Sequence, residues 1–185
     1  MILRLVILGG AALLLVIGAY IDIRRFIIPN WINLSLLVLG GGFAAITPGF
    51  SWITNLATAV AVFLSGAIFY QFRLFGGGDV KLLAVLSFWA GLSNLFSLFF
   101  IMALSGGLLS VVYLLKGFFQ RRSEAGRLSL AESATLLHAD MAEGGSAAVL
   151  QRARSSDVFR QPIPYGVAIA VGGLYVLISI VGQSG

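Results

Sequence analysis

Six stretches of nearly unbroken apolar residues, at about 2–21, 31–47, 53–70, 80–92, 95–116 and 164–182, leave this chain few ways to fold. Hydrocarbon offers no water to satisfy backbone N–H and C=O groups, so runs of this length settle there as helices that bond internally. The expectation is an all-α, polytopic membrane protein with about six transmembrane helices. Charged residues make up only 10% of the chain and mean hydropathy is +1.00. In soluble domains about a quarter of residues are charged, which excludes that class. Residues 1–185 read as one membrane-embedded domain, with a polar, helical insert at about 117–163. Arg4 ahead of the first run gives it the look of a signal peptide, but Arg24 and Arg25 follow it and no small-residue cleavage site precedes them. It is therefore read as a span.

The net charge of +5 raises nucleic acid as a partner, but the basic residues flank apolar runs instead of forming a patch. That is a topology signal, which points to the lipid bilayer and not to nucleic acid. With six helices and the N-terminus outside, residues 22–30, 71–79 and 117–163 face the cytoplasm, and eleven of the twelve Lys/Arg lie in those loops or at their edges. Only Arg4 falls on the other side. The expected placement is a multi-pass protein of the cytoplasmic (inner) membrane, with both termini outside. Trp31, Trp52 and Trp89 sit near expected helix ends, as interfacial aromatics do, whereas Tyr175 lies mid-span. The helix from Asp79 to Asn94 is short, about 23 Å at 1.5 Å per residue against roughly 30 Å of hydrocarbon. It is expected to begin below the membrane surface, with Lys81 reaching outward.

Within the insert, "SLAE" at 129–132 has the form of a capping box that would start a helix at Ser129, and Gly144-Gly145 offers a stop. The insert carries Glu132, Asp140 and Glu143 in its middle and basic residues at both ends.

Asp22 and Asp79 are the only carboxylates outside 117–163. The topology puts both on the cytoplasmic side, one ending the first helix and the other opening the fourth. Carboxylates near a bilayer are costly and mark functional sites. Two that converge on one water cannot easily both ionise, so one serves as acid and the other as base. That is the chemistry of aspartic proteolysis. The bland readings are that Asp79 caps its helix, and that Asp22 pairs with Arg24 or Arg25. Other chemistries lack their residues. There is no cysteine, and the one histidine, His138, lies in the polar insert. No HExxH is present, and "GGGDVK" lacks the spacing and hydroxyl of a phosphate-binding loop. A non-enzymatic alternative is an ion-coupled transporter or membrane scaffold subunit, although a proton relay would want its carboxylates staggered through the bilayer.

"DIRRFIIPNWINL" at 22–34 and "FGGGDVKLLA" at 75–84 resemble the two active-site segments of type IV prepilin peptidases, membrane aspartyl proteases of the GxGD type. "PIPYGVAIAVGG" at 162–173 resembles the C-terminal helix of that family, so the likeness covers nearly all the chain outside 117–161. It implies that Asp22 and Asp79 are the catalytic pair, that Gly76, Gly77 and Gly78 form the motif turn, and that Pro29, Asn30 and Lys81 are family neighbours without an assigned role. It further implies cleavage of the basic leader of a prepilin at the cytoplasmic face, with no metal and no cofactor, water being the nucleophile. Larger members carry a cysteine-rich zinc domain and methylate the new N-terminus; this chain, with no cysteine, resembles the short, peptidase-only members of Flp (tight-adherence) pili. An archaeal preflagellin peptidase is a near alternative.

Overall fold

The computed structural model describes residues 2–72, 75–139 and 164–183. Among the described residues five helices run in order: α1 (Ile2–Arg25), α2 (Asn30–Ala45), α3 (Trp52–Gln71), α4 (Gly77–Ala139) and α5 (Tyr165–Gln183). There is no strand among the described residues. The protein is an all-α, polytopic membrane protein. Four helical stretches are individually long and apolar enough to cross a bilayer, and α2, with sixteen residues, is shorter. The chain divides into two units, Met1–Leu109 with Pro164–Gly185, and Ser110–Ile163. The contacts described below lie within the first.

α4 is broken at Gly91, which has φ 59° and ψ −175°. That region of backbone space is essentially closed to residues with a Cβ. A break frees carbonyls that must find new donors, and Asn55 on α3 supplies one, its Nδ2 donating to the Phe88 carbonyl at 3.2 Å. The chain reverses here. Before the break Leu86 packs on Gly173 of α5, and after it Leu98 packs on Gly172 and Gly106 on Ala168, so the two halves run past α5 in opposite directions. The break thus falls at Gly91, whereas the apolar runs 80–92 and 95–116 left it at 93–94, and Leu92, Ser93 and Asn94 are helical.

α1 packs on α2 and α5. The buried core draws Leu8 and Leu15 from α1, Ile32 and Leu36 from α2, Leu86 and Leu98 from α4, and Ile169 and Val176 from α5. Hydrophobic burial does not hold helices together in lipid, so close approach and polar contacts must. A Cβ on Gly40 would lie 2.8 Å from Trp89, one on Gly66 2.8 Å from Val80, and one on Gly173 2.8 Å from Leu86. Trp89 also donates its Nε1–H to the Leu36 carbonyl at 3.1 Å and stacks on Phe43. Arg4 donates to the Ile46 carbonyl at 3.0 Å, which satisfies an orphan acceptor just past the end of α2. The one cation outside the expected cytoplasmic set therefore has a structural task.

In the second unit α4 stays helical to Ala139. Ser129 therefore lies inside a helix and does not start one: the capping signal at 129–132 is overridden by a helix already under way. Asp140, Glu143 and the Gly144-Gly145 stop lie outside the described residues.

Candidate functional site

Asp22 sits in the last turn of α1, yet only 4% of it is exposed. The helix closes through the Phe26 N–H, which donates to the Asp22 carbonyl at 2.8 Å, with Phe26 itself in the left-handed region at φ 52°. This is the αL way of ending a helix, unusual in using a side chain as large as Phe. Pro29 follows at φ −64° and ψ 140° and opens α2, and a residue that precedes proline is pressed toward extended backbone. Ile28 is thereby held as a short buried link between α1 and α2.

Asp79 is half-buried in the first turn of α4. The Val80 N–H donates to the Gly76 carbonyl at 3.1 Å, which makes Gly76 the first residue of that turn. Asp79 folds back so that its Oδ2 would lie 2.8 Å from a Cβ on Gly76, facing the Gly76 N–H. That is one half of a capping box, so the aspartate does cap its own helix. Gly76 and Gly77 are exposed, while Gly78 presses on Ile28: a Cβ there would lie 3.2 Å from both the Ile28 carbonyl oxygen and its Cβ.

The two segments meet at one end of the bundle. Ile28 touches Gly78 on one side and Gly166 on the other, where a Cβ would come within 2.8 Å of the Ile28 Cδ1. The same Cβ would lie 2.7 Å from Asp22 Oδ2, so the start of α5 closes over the Asp22 carboxylate. The N–H groups of Gly166 and Val167, in the first turn of α5, face that carboxylate and present the positive end of the helix to it, the Val167 N–H donating also to the Pro164 carbonyl at 3.3 Å. Among the described residues no hydrogen bond closes on Asp22 Oδ2, a fully buried oxygen. Asp79 and Asp22 are near enough for their charges to act on each other. Among the described residues Asp22 makes no ion pair with Arg24 or Arg25, both of which are exposed, and Arg24 lays its guanidinium over the Tyr20 ring at 5.0 Å. An acidic pair from two helices, with one oxygen left without a partner, can bind and polarise a water between them.

A sequence profile described as the type IV leader peptidase family matches residues 10–111, more than half of the chain and inclusive of both aspartates. The chain belongs to that family. It is also similar to a protein of Bacillus subtilis (strain 168) named prepilin leader peptidase/N-methyltransferase, 36% identical over 111 residues. That match covers 59% of this chain and 45% of the Bacillus protein, so the chain spans about half the length of the relative it matches. No solved structure matches.

The leader peptidase profile stops before α5, whose Gly166 lies against Asp22. The family neighbours find partners here. Lys81 donates its Nζ proton to Asn30 Oδ1 at 3.1 Å, which ties the start of α2 to the first turn of α4. Asn33, one turn further along α2, is buried, with its Nδ2 directed at the Gly78 carbonyl at 3.5 Å and its Oδ1 unpartnered. Asn33, Ile28 and Gly166 were not singled out as site residues from the sequence. An asparagine in an otherwise apolar helix one turn beyond Asn30 was the available signal for the first. Among the described residues no group of three or more His, Cys, Asp or Glu gathers to hold a metal ion.

Proposed function

We propose that this chain is a membrane aspartyl endopeptidase that removes the leader peptide from type IV prepilins, of the Flp type, at the cytoplasmic face of the inner membrane. The observation that carries the reading is the meeting of Asp22 and Asp79 at one end of the bundle, Asp22 with a buried carboxylate oxygen under the start of α5 and Asp79 beside an exposed glycine turn. A buried carboxylate oxygen without a partner is a destabilising feature, which a structural role would not require. In the proposed reaction the ionised aspartate takes a proton from water, whose oxygen attacks the scissile carbonyl carbon. The other aspartate gives its proton to the carbonyl oxygen. Collapse of the tetrahedral intermediate then breaks the C–N bond: the leaving amine takes a proton from the acid formed in the first step, and one hydroxyl of the diol returns its proton to the second aspartate as the new carboxyl group forms. Gly76 and Gly77, exposed and without side chains, leave room for an extended peptide to approach Asp79. No residue here is assigned to methyl transfer, the second activity in the name of the Bacillus protein. A transporter reading is disfavoured because both carboxylates lie at one level. Co-expression with a candidate prepilin, scored by electrophoresis for loss of the leader, tests the proposal. An unprocessed prepilin beside a correctly inserted enzyme would reject it.

A further inference from the structure

A trough of about 700 Å³ runs along α2, α3 and the first half of α4, lined on its apolar sides by Leu34, Leu37, Val60, Phe63 and Val85. Asp22 is not among its lining residues, and a smaller cavity of about 300 Å³ prolongs it to Gly41 and Trp52, sharing Leu37, Leu56 and Phe88. From Asn30 to Gly41 is eleven helical steps, or about 16 Å at 1.5 Å per residue. One leaflet is half of roughly 30 Å of hydrocarbon, so the trough is one leaflet deep. Its lining contains one charged group, Lys81, at the Asn30 end. Lys81 is exposed and gives one proton to Asn30, and an ammonium has three to give. Trp31, half exposed beside it, is placed as an interfacial indole is.

We propose that this trough is a binding site for one anionic phospholipid, with the phosphate on Lys81 and Asn30 and an acyl chain along α2 and α3. A cation above an apolar channel the depth of one leaflet complements a lipid headgroup and its tail. A transmembrane peptide helix would need a channel through both leaflets and would find no use for the cation. A bound lipid would wedge against α2 and against α4 from Lys81 onward, the two helices that carry Asn33 and Asp79.

The test is native mass spectrometry of the full chain incubated with equal amounts of palmitoyl-oleoyl phosphatidylglycerol and phosphatidylcholine. Wild type should retain one lipid and prefer phosphatidylglycerol by about fivefold, the worth of one lysine at an anionic surface. Lys81→Gln should keep a lipid but lose the preference. Ala59→Phe, which fills the trough from α3, should lose both lipids, and its melting curve shows whether it folds. Lys81→Gln is an exposed change and keeps the test alive if Ala59→Phe does not fold. An unchanged preference in Lys81→Gln, unchanged occupancy in a folded Ala59→Phe, or displacement of the lipid by a prepilin helix would overturn the proposal.

Discussion

Gly166 and Asp22 touch across two helices: a Cβ on Gly166 would lie 2.7 Å from Asp22 Oδ2 and 2.8 Å from its Cγ. There is no room for a methyl group, and the first turn of α5 cannot yield without disturbing Ile28, which is also within 2.8 Å. Gly166→Ala should therefore displace the Asp22 carboxylate. Misplacing a reacting group by about 1 Å costs on the order of 10²-fold, so turnover should fall by that order with KM little changed. Steady-state cleavage of a prepilin peptide measures this. Wild-type turnover in Gly166→Ala would mean that α5 does not position Asp22.

The glycines of the turn should not be equivalent. A Cβ on Gly77 meets only the Tyr70 ring, at 3.5 Å, which is ordinary contact. A Cβ on Gly78 meets Ile28 backbone at 3.2 Å, and a β-branched side chain adds further bulk. Gly77→Ala should melt with the wild type in detergent. Gly78→Val should lose about 1–3 kcal/mol of stability by overpacking and most of its activity with it. Equal melting of the two variants would contradict the contact between the turn and the α1–α2 link.

The break in α4 makes a prediction far from the aspartates. Asn55→Leu leaves the Phe88 carbonyl without its donor, which should cost about 1–3 kcal/mol. Gly91→Ala should cost at least as much, because its φ of 59° is strained for alanine and its Cβ would lie 2.7 Å from Asn55 Oδ1. Thermal unfolding in detergent checks both. Neutral effects would mean that the reversal is held elsewhere.

The all-α, membrane-spanning character was legible in the sequence, since a run of apolar residues long enough to bury its backbone bonds in lipid has little choice. The limits of the later helices were not: the break lies at Gly91 and α4 runs on to Ala139. It also pointed to Asp22 and Asp79 as one constellation, because so few carboxylates lie outside the insert. Contacts between helices were another matter. Nothing in the order of residues marks Gly166 as lying against Asp22, or Ile28 as lying between Gly78 and Gly166, for those distances depend on how α1, α2, α4 and α5 pack. The break at Gly91 was displaced because Ser93 and Asn94 look like loop residues, while only glycine can adopt the angles the break requires. Ser129 misled for the opposite reason: a local capping pattern is a weak signal beside a helix already formed.

Orientation is a proposal that rests on the distribution of eleven Lys/Arg against one. A reporter fused after Ala125 should behave as cytoplasmic, and one fused after Gly185 as external. Phosphatase and fluorescent-protein fusions distinguish the two. The reverse pattern would put Asp22 and Asp79 on the side away from a cytoplasmic leader.

The most direct measurement replaces each carboxylate by its uncharged isostere. Asp22→Asn and Asp79→Asn should each insert, melt as the wild type or slightly higher, and fail to cleave a prepilin. Removing an acid–base partner costs about 10²–10⁴-fold, and more when two groups act as a unit. The double variant should be no worse than either single one, as expected of a pair that works through one water. Prepilin cleavage at a near-normal rate by either single variant would contradict the aspartyl mechanism.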